Sequence, residues 1–226
     1  MSSDSLPKIS IGIPAYNEAA NIKQLLLAVL KQRTPGFILH EIIVVSDGST
    51  DETEKITRLV ADARIRVFAS QKREGQQKAQ NQILERFTGD IIVFMEADTL
   101  PASSDTLLQL IEPLLKVSGE EKLMLTMGNP QYLAPRNFFE KIIFNGAIFK
   151  RAVFDRWKDG QNVYICVGHA AKALKRSFAQ NFRWAVDAPE DAYLYLRLKE
   201  ADYNISLQKQ ALFNARHVTS MREQMQ

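Results

Sequence analysis

The sequence has 226 residues, 46% of them hydrophobic and 24% charged, which is enough apolar material for a full core and excludes a disordered tail or a fibrous chain. The net charge of +3 is small and the basic residues form no block, which argues against nucleic acid as a partner.

In chain order, residues 1–8 (MSSDSLPK) show no apolar core behind a basic start, so no secretory signal is expected. Ile9, Ile11 and Ile13 then alternate with Ser10 and Gly12 up to Pro14, the pattern of a strand. Residues 21–32 place Leu25, Leu26, Val29 and Leu30 on one helical face, and Pro35-Gly36 ends that helix. Residues 41–46 predict a buried strand. Ser49 and Glu52 have capping-box spacing and predict a helix reaching about residue 62. A strand over 64–70, a helix over 76–86 and a strand over 90–95 follow. This alternation requires crossover connections, so the fold class is α/β, with a Rossmann-like, mostly parallel central sheet and helices on both faces. The second half is less regular: a strand at 123–127, an aromatic and basic helix over 138–157, an Ala/Lys-rich segment from Gly168, and a helix from Pro189 to about residue 201. Asp187 and Glu190 repeat the capping-box spacing. Cys166, the one cysteine, has no partner in the chain and no nucleophile signature around it; it reads as a small buried hydrophobe in a reducing compartment. No run approaches the roughly 18 apolar residues of a membrane span. The expected location is the cytoplasm or the cytoplasmic face of a membrane. No repeat or linker divides residues 1–226, which read as one domain.

Ligands of open parallel sheets sit beyond the carboxyl ends of the strands. Three predicted strands end there in polar clusters: Pro14-Ala15-Tyr16-Asn17-Glu18, Ser46-Asp47-Gly48-Ser49-Thr50-Asp51 and Glu96-Ala97-Asp98-Thr99. Singly, each has a local explanation, as a helix start, a turn or first-turn acids. Together they gather carboxylates around one crevice, where self-repulsion calls for a cation or a donor-rich ligand. Glu96-x-Asp98 is the metal candidate, since paired carboxylates supply hard oxygen ligands for Mg2+ or Mn2+ that share their shell with phosphates. Neither Gly-rich phosphate-loop pattern is present, so a metal and the basic side chains of Lys72, Arg73 or Lys78 would neutralise a bound phosphate.

These clusters, with Gly75…Ala79-x-Asn81, the run Asp90-Ile-Ile-Val-Phe-Met-Glu-Ala-Asp98 and Pro189-Glu-Asp191…Arg197, resemble the family 2 glycosyltransferases over most of the chain. The resemblance implies the type A glycosyltransferase fold in a single domain, with a nucleotide-sugar-binding half over about 1–115 and an acceptor-binding, catalytic-base half over about 116–226. It implies an inverting, metal-assisted transfer from a nucleotide-diphospho-sugar, a UDP-sugar first, to a saccharide or lipid-linked acceptor, as in polysaccharide or cell-envelope biosynthesis. Under it, Ala15, Glu18 and Asp47 hold the base and ribose, Pro14, Tyr16 and Arg73 belong to the same nucleotide site, and Glu96 stands near the ribose and metal. Asp98 ligates the metal, and Asp191 is the general base that takes the acceptor proton. Gly168, His169, Glu190 and Arg197 fall on the acceptor side, and His217 is a candidate further ligand. Three features depart from the family pattern: Glu96 stands where aspartate is usual, Gln76 where a lysine is common, and the Gln-x-x-Arg-Trp motif of the processive polysaccharide synthases is not present.

Asp191 also reads as an acid favoured by a helix N-terminus, His217 as an ordinary surface or core histidine, and Trp184 as packing rather than a sugar platform. Residues 137–157 interleave aromatics with Lys141, Lys150, Arg151 and Arg156, so they suit either a membrane interface or an ordinary helix with solvated charges. Two other functions compete. A nucleotidyltransferase generally has a Gly-rich basic loop after its first strand, and Pro14-Ala-Tyr-Asn-Glu18 is not one. Against a non-catalytic sugar-nucleotide-binding domain stand the intact Asp98 and Asp191.

Overall fold

The computed structural model describes residues 5–116, 122–156 and 171–215. The first hundred residues alternate as the periodicity predicts: β1 (Lys8–Ala15), α1 (Ile22–Leu30), β2 (Ile38–Asp47), α2 (Thr53–Leu59), β3 (Ile65–Ser70), α3 (Gln76–Leu84) and β4 (Ile91–Met95). After them come β5 (Leu100–Pro101), α4 (Thr106–Leu115), β6 (Leu123–Tyr132), α5 (Phe138–Arg156), β7 (Ala171–Lys175), α6 (Arg176–Ala179), α7 (Glu190–Glu200) and β8 (Asn204–Ala215).

The strands form one sheet in the order β3-β2-β1-β4-β7-β6-β8-β5. The β3-β2-β1-β4 portion is parallel; β7 runs antiparallel to both β4 and β6, and β8 is parallel to β6. Both faces are covered, which is why the inner strands read as apolar runs rather than as half-polar ones. Ile42 and Val44 of β2, with Ile91, Val93 and Met95 of β4, pack toward α1 and α4. Their alternates Ile43, Val45, Ile92 and Phe94 pack toward α3, α6 and α7.

Two helix starts differ from the spacing-based expectation. The Ser49 hydroxyl is used elsewhere, bonded to the Asn17 N–H and the Ser46 hydroxyl, so no capping box forms with Glu52. Asp51 instead accepts the Thr53 N–H at 3.0 Å, and the helix ends at Leu59, short of residue 62. At α7 no side chain caps the Pro189 end, because the Glu190 carboxylate is taken by Lys172 and Gln80. Helices α4 and α6 and strands β5, β7 and β8 were not predicted, and the strand expected at 123–127 continues to Tyr132.

Candidate active site

The parallel strands bring their carboxyl ends to one edge of the sheet, and the three polar clusters converge there. Pro14, Ala15, Tyr16 and Glu18 from β1 and its loop, Asp47 from β2, Arg73, Gln76 and Ala79 from the approach to α3, and Glu96, Ala97 and Asp98 after β4 enclose a pocket of about 340 Å³.

The loops are tied to one another before any ligand arrives. Asn17 adopts a left-handed backbone (φ 55°), which asparagine tolerates better than most residues, and its side-chain oxygen accepts the Thr50 N–H at 2.8 Å. Glu18 N–H donates to the Thr53 hydroxyl at 2.7 Å, and Ala19 N–H to Asp51 at 3.0 Å. Asp51 thereby joins the first two strand-end loops and is absent from the pocket wall. Asp47, buried, accepts the backbone N–H groups of Glu74 and Gly75, each at 2.8 Å. These bonds hold the 71–75 segment over the pocket, where the Arg73 guanidinium lies 4.1 Å from the Tyr16 ring centroid in cation–π geometry. Of the basic residues expected near a phosphate, Arg73 reaches the pocket wall; Lys78 instead pairs with Glu74 at 3.2 Å.

Glu96 and Asp98 are both exposed at the mouth of the crevice. Loss of hydration, then the charge of Asp98, pushes the Glu96 carboxyl up to about 7; Lys172 pulls it down, and Glu190 and Asp191 add to the push. Water in the open crevice screens part of that repulsion. The thrust is still toward an excess of negative charge. Beneath Glu96, a narrow extension of the crevice is lined by Gln80, Phe94 and Lys172.

Lys172, a residue the sequence reading overlooked, pairs with the two acids that open α7. It is buried on β7, and its Nζ lies 2.6 Å from Glu190 Oε1 and 2.6 Å from Asp191 Oδ1. Glu190 also accepts from Gln80 Nε2 at 2.7 Å and from Gln76 Nε2 at 3.3 Å, so it is held within the protein rather than presented to an acceptor. Asp191 is not part of the pocket wall but keeps 32% of its side chain exposed beside it. A sequence signal for Lys172 did exist: it interrupts an otherwise apolar Ala171-Lys172-Ala173-Leu174 strand whose register sets it opposite Phe94.

Arg197 stands apart, paired with Glu200 at 2.6 Å and lining a separate groove with Phe178, Phe182, Tyr193 and Tyr203. Trp184 is buried, edge-on to Phe94 and Phe182, and Asn81 clamps its backbone with two hydrogen bonds; it packs, as its alternative reading held. Gly168, His169, His217 and Cys166 lie outside the described residues.

Residues 10–180 match the family model described as glycosyl transferase family 2. The chain belongs to that family. Among relatives of this family 2 chain, the glycosyltransferase AglE of Haloferax volcanii is 35% identical over 99 residues, covering 43% of this chain and 32% of that one. A glycosyltransferase of Haemophilus influenzae without assigned role is 31% identical over 127 residues, covering 55% and 48%. The chain thus spans about a third to a half of the length of these two relatives. Among solved structures, the mannosyltransferase PcManGT of Pyrobaculum calidifontis, in complex with GDP-Man and Mn2+, superposes with a TM-score of 0.71 at 21% identity, covering 93% of this chain and 57% of that one. The glucosyl-3-phosphoglycerate synthase of Mycobacterium tuberculosis, with Mn2+, UDP and phosphoglyceric acid, gives 0.66 at 20% identity, covering 97% and 73%. The family 2 chain therefore has the type A glycosyltransferase fold expected from its motifs.

Proposed function

We propose that this chain transfers a sugar from a nucleotide-diphospho-sugar, a UDP-sugar first, to an acceptor hydroxyl with inversion, using a divalent cation. The observation that carries this reading is the convergence of three strand-end clusters on one pocket, with Arg73 over Tyr16 at one side and Asp98 at its mouth.

The residues present fit a divalent cation. Among the described residues, Glu18, Asp47, Glu96 and Asp98 line the crevice with Arg73 as the one basic residue of its wall, an imbalance that a cation relieves. Asp98 and Glu96 are hard oxygen donors at the crevice mouth, the kind that Mg2+ or Mn2+ bind through one or two carboxylates while completing their shell with phosphate oxygens and water. In this reading Asp98 is the protein ligand, and the bound ion stabilises the charge that builds on the departing diphosphate.

The remaining work falls to side chains. Ala15, Glu18 and Asp47 seat the base and ribose, Glu96 stands near the ribose and the metal, and Arg73 neutralises phosphate. Asp191 takes the proton from the acceptor hydroxyl while its oxygen bonds to the anomeric carbon. The bond from that carbon to the phosphate oxygen breaks from the opposite side, the nucleoside diphosphate leaves, and no covalent enzyme intermediate is needed.

Helix α5 favours a lipid-linked acceptor. Phe138 and Phe149 are 79% and 72% exposed, Ile142 and Val153 share their face at helical spacing, and exposed Lys141 and Arg156 flank them. Apolar residues bordered by cations suit the interface of an anionic membrane. Among the described residues no helix is long and apolar enough to cross a membrane.

A thermal-shift screen tests the donor site. UDP and UDP-sugars should raise the melting temperature in the presence of Mn2+ and raise it less without metal, because ligands of the native state stabilise it by mass action. GDP- and dTDP-sugars ranking above UDP-sugars would reassign the base. No shift with any nucleotide under any metal condition would overturn the donor-site reading.

A further inference from the structure

Lys172 presents a physical problem that the proposed transfer reaction does not by itself explain. Burying an ammonium in a strand is strongly unfavourable unless it is closely paired. This one is 5% exposed, between Ala171 and Ala173, and is opposed across the sheet by Phe94. Its charge is met on α7 by two consecutive carboxylates, Glu190 and Asp191, each 2.6 Å from Nζ. The two acids differ in their surroundings. Glu190 is also gripped from α3 by Gln80 and Gln76, and its side chain is 17% exposed. Asp191 keeps 32% of its side chain toward solvent.

We propose that Lys172 is a positioning residue for Asp191: anchored by Glu190, its ammonium holds the Asp191 carboxylate in place and ionised at the edge of the crevice. This rests on the reading of Asp191 as general base. Among the described residues, two further carboxylates stand near Asp191: Glu190 beside it on α7, and Glu96 beyond the end of β4; α3 contributes the neutral amides of Gln76 and Gln80. Both carboxylates favour the protonated, catalytically idle form of Asp191, and Lys172 opposes them. Burial works to lower the pKa of Lys172 itself, but attraction to Glu190 and Asp191 and the hydrogen bonds to both outweigh it, so the ammonium keeps its proton.

The test is the pH dependence of kcat/KM, using the full chain with Mn2+, a UDP-sugar and a hydroxyl acceptor, alongside donor affinity by thermal shift. Lys172→Met should move the acid limb upward by about one pH unit or more, so that the loss is about tenfold greater well below the limb than above it. Glu190→Gln should move the limb the other way, since it removes a like charge and leaves Lys172 to Asp191. Lys172→Arg should keep the limb near its original place. A purely structural role predicts something different: Lys172→Met then lowers activity by one factor at every pH and leaves the limb in place, and that result would overturn the proposal. Should Lys172→Met fail to fold, Lys172→Gln carries the same expectation and the same refutation. Asp191→Asn separates this inference from the reading beneath it. Turnover surviving in Asp191→Asn refutes Asp191 as base; loss of turnover there with an unmoved limb in the Lys172 variant refutes only the role given to Lys172.

Discussion

At the residue scale, the chemistry rests on side chains whose neighbours leave little freedom. Gly48 has φ +65°, and a Cβ built there would lie 2.3 Å from the Arg73 nitrogen and 2.4 Å from the Lys72 carbonyl carbon. The Asp47-Gly48 pair therefore acts beyond making a turn: Asp47 draws the 71–75 segment in through two hydrogen bonds, and Gly48 leaves room for its backbone. Gly48→Ala should displace Arg73 from Tyr16. The expected result is a destabilisation of at least about 1–2 kcal/mol from the left-handed backbone alone, with most of the nucleotide-dependent thermal shift lost. An unchanged shift would show that Arg73 does not depend on this packing. Asp98→Asn should behave differently, because Asp98 sits exposed at the crevice mouth with the Thr99 hydroxyl as a neighbour at 3.2 Å. Its melting temperature without ligand should stay near the parent value, while the extra shift given by Mn2+ disappears. Retention of the metal-dependent part would remove Asp98 as the ligand.

At the scale of elements, what could be read from sequence tracks how local the determining forces are. The parallel strands and their helices were legible because both faces of the sheet are covered, and apolar runs such as Ile42-Ile43-Val44-Val45 mark such strands without any tertiary knowledge. Strand β8 escaped notice because Lys209 and Gln210 interrupt its apolar alternation, where its pairing with β6 changes register. The convergence of the three strand-end clusters was legible for the same reason as the strands. The Lys172 bridge was not, since it joins β7 to α7 across a turn of chain and arises only from packing. Helix α5 had two readings in sequence, and the exposure of Phe138 and Phe149 is the observation on which the proposed membrane contact rests. The expected outcome is co-sedimentation with vesicles containing phosphatidylserine at low ionic strength, weakening as salt rises. The double variant Phe138→Glu/Phe149→Glu should stay in the supernatant while keeping its nucleotide-dependent thermal shift. No binding of the parent at low salt would sink the membrane reading without touching the donor site.

At the scale of the whole molecule, charge is treated in opposite ways at the two ends of the parallel strands. The carboxyl ends leave acids crowded around a crevice. The amino ends lock one acid completely: Glu41, buried on β2, accepts the Ser10 hydroxyl of β1 at 2.8 Å and the Thr88 N–H and hydroxyl at 2.6 and 2.7 Å, and pairs with Arg66 of β3 at 2.5 Å. One carboxylate thus ties together three neighbouring strands and the turn that leads into β4. Burial alone would push its pKa up, but the hydrogen bonds from Thr88, Ser10 and Arg66 outweigh it and hold the pKa below the ordinary 4.5. A group whose folded pKa is depressed contributes stability that is present above its unfolded pKa and lost as pH falls through the folded value. Glu41→Gln keeps the shape but loses the charge and one acceptor, so it should cost about 1–3 kcal/mol at neutral pH. Because the variant has nothing to titrate there, its urea midpoint should fall less steeply than that of the parent below about pH 4.5, and the two curves should approach each other. Parallel curves across that range would mean that the native carboxyl titrates as it does in the unfolded chain, and that the network is mere proximity. The nucleotide-dependent shift should survive Glu41→Gln in full, since the lock and the crevice lie at opposite ends of the same strands.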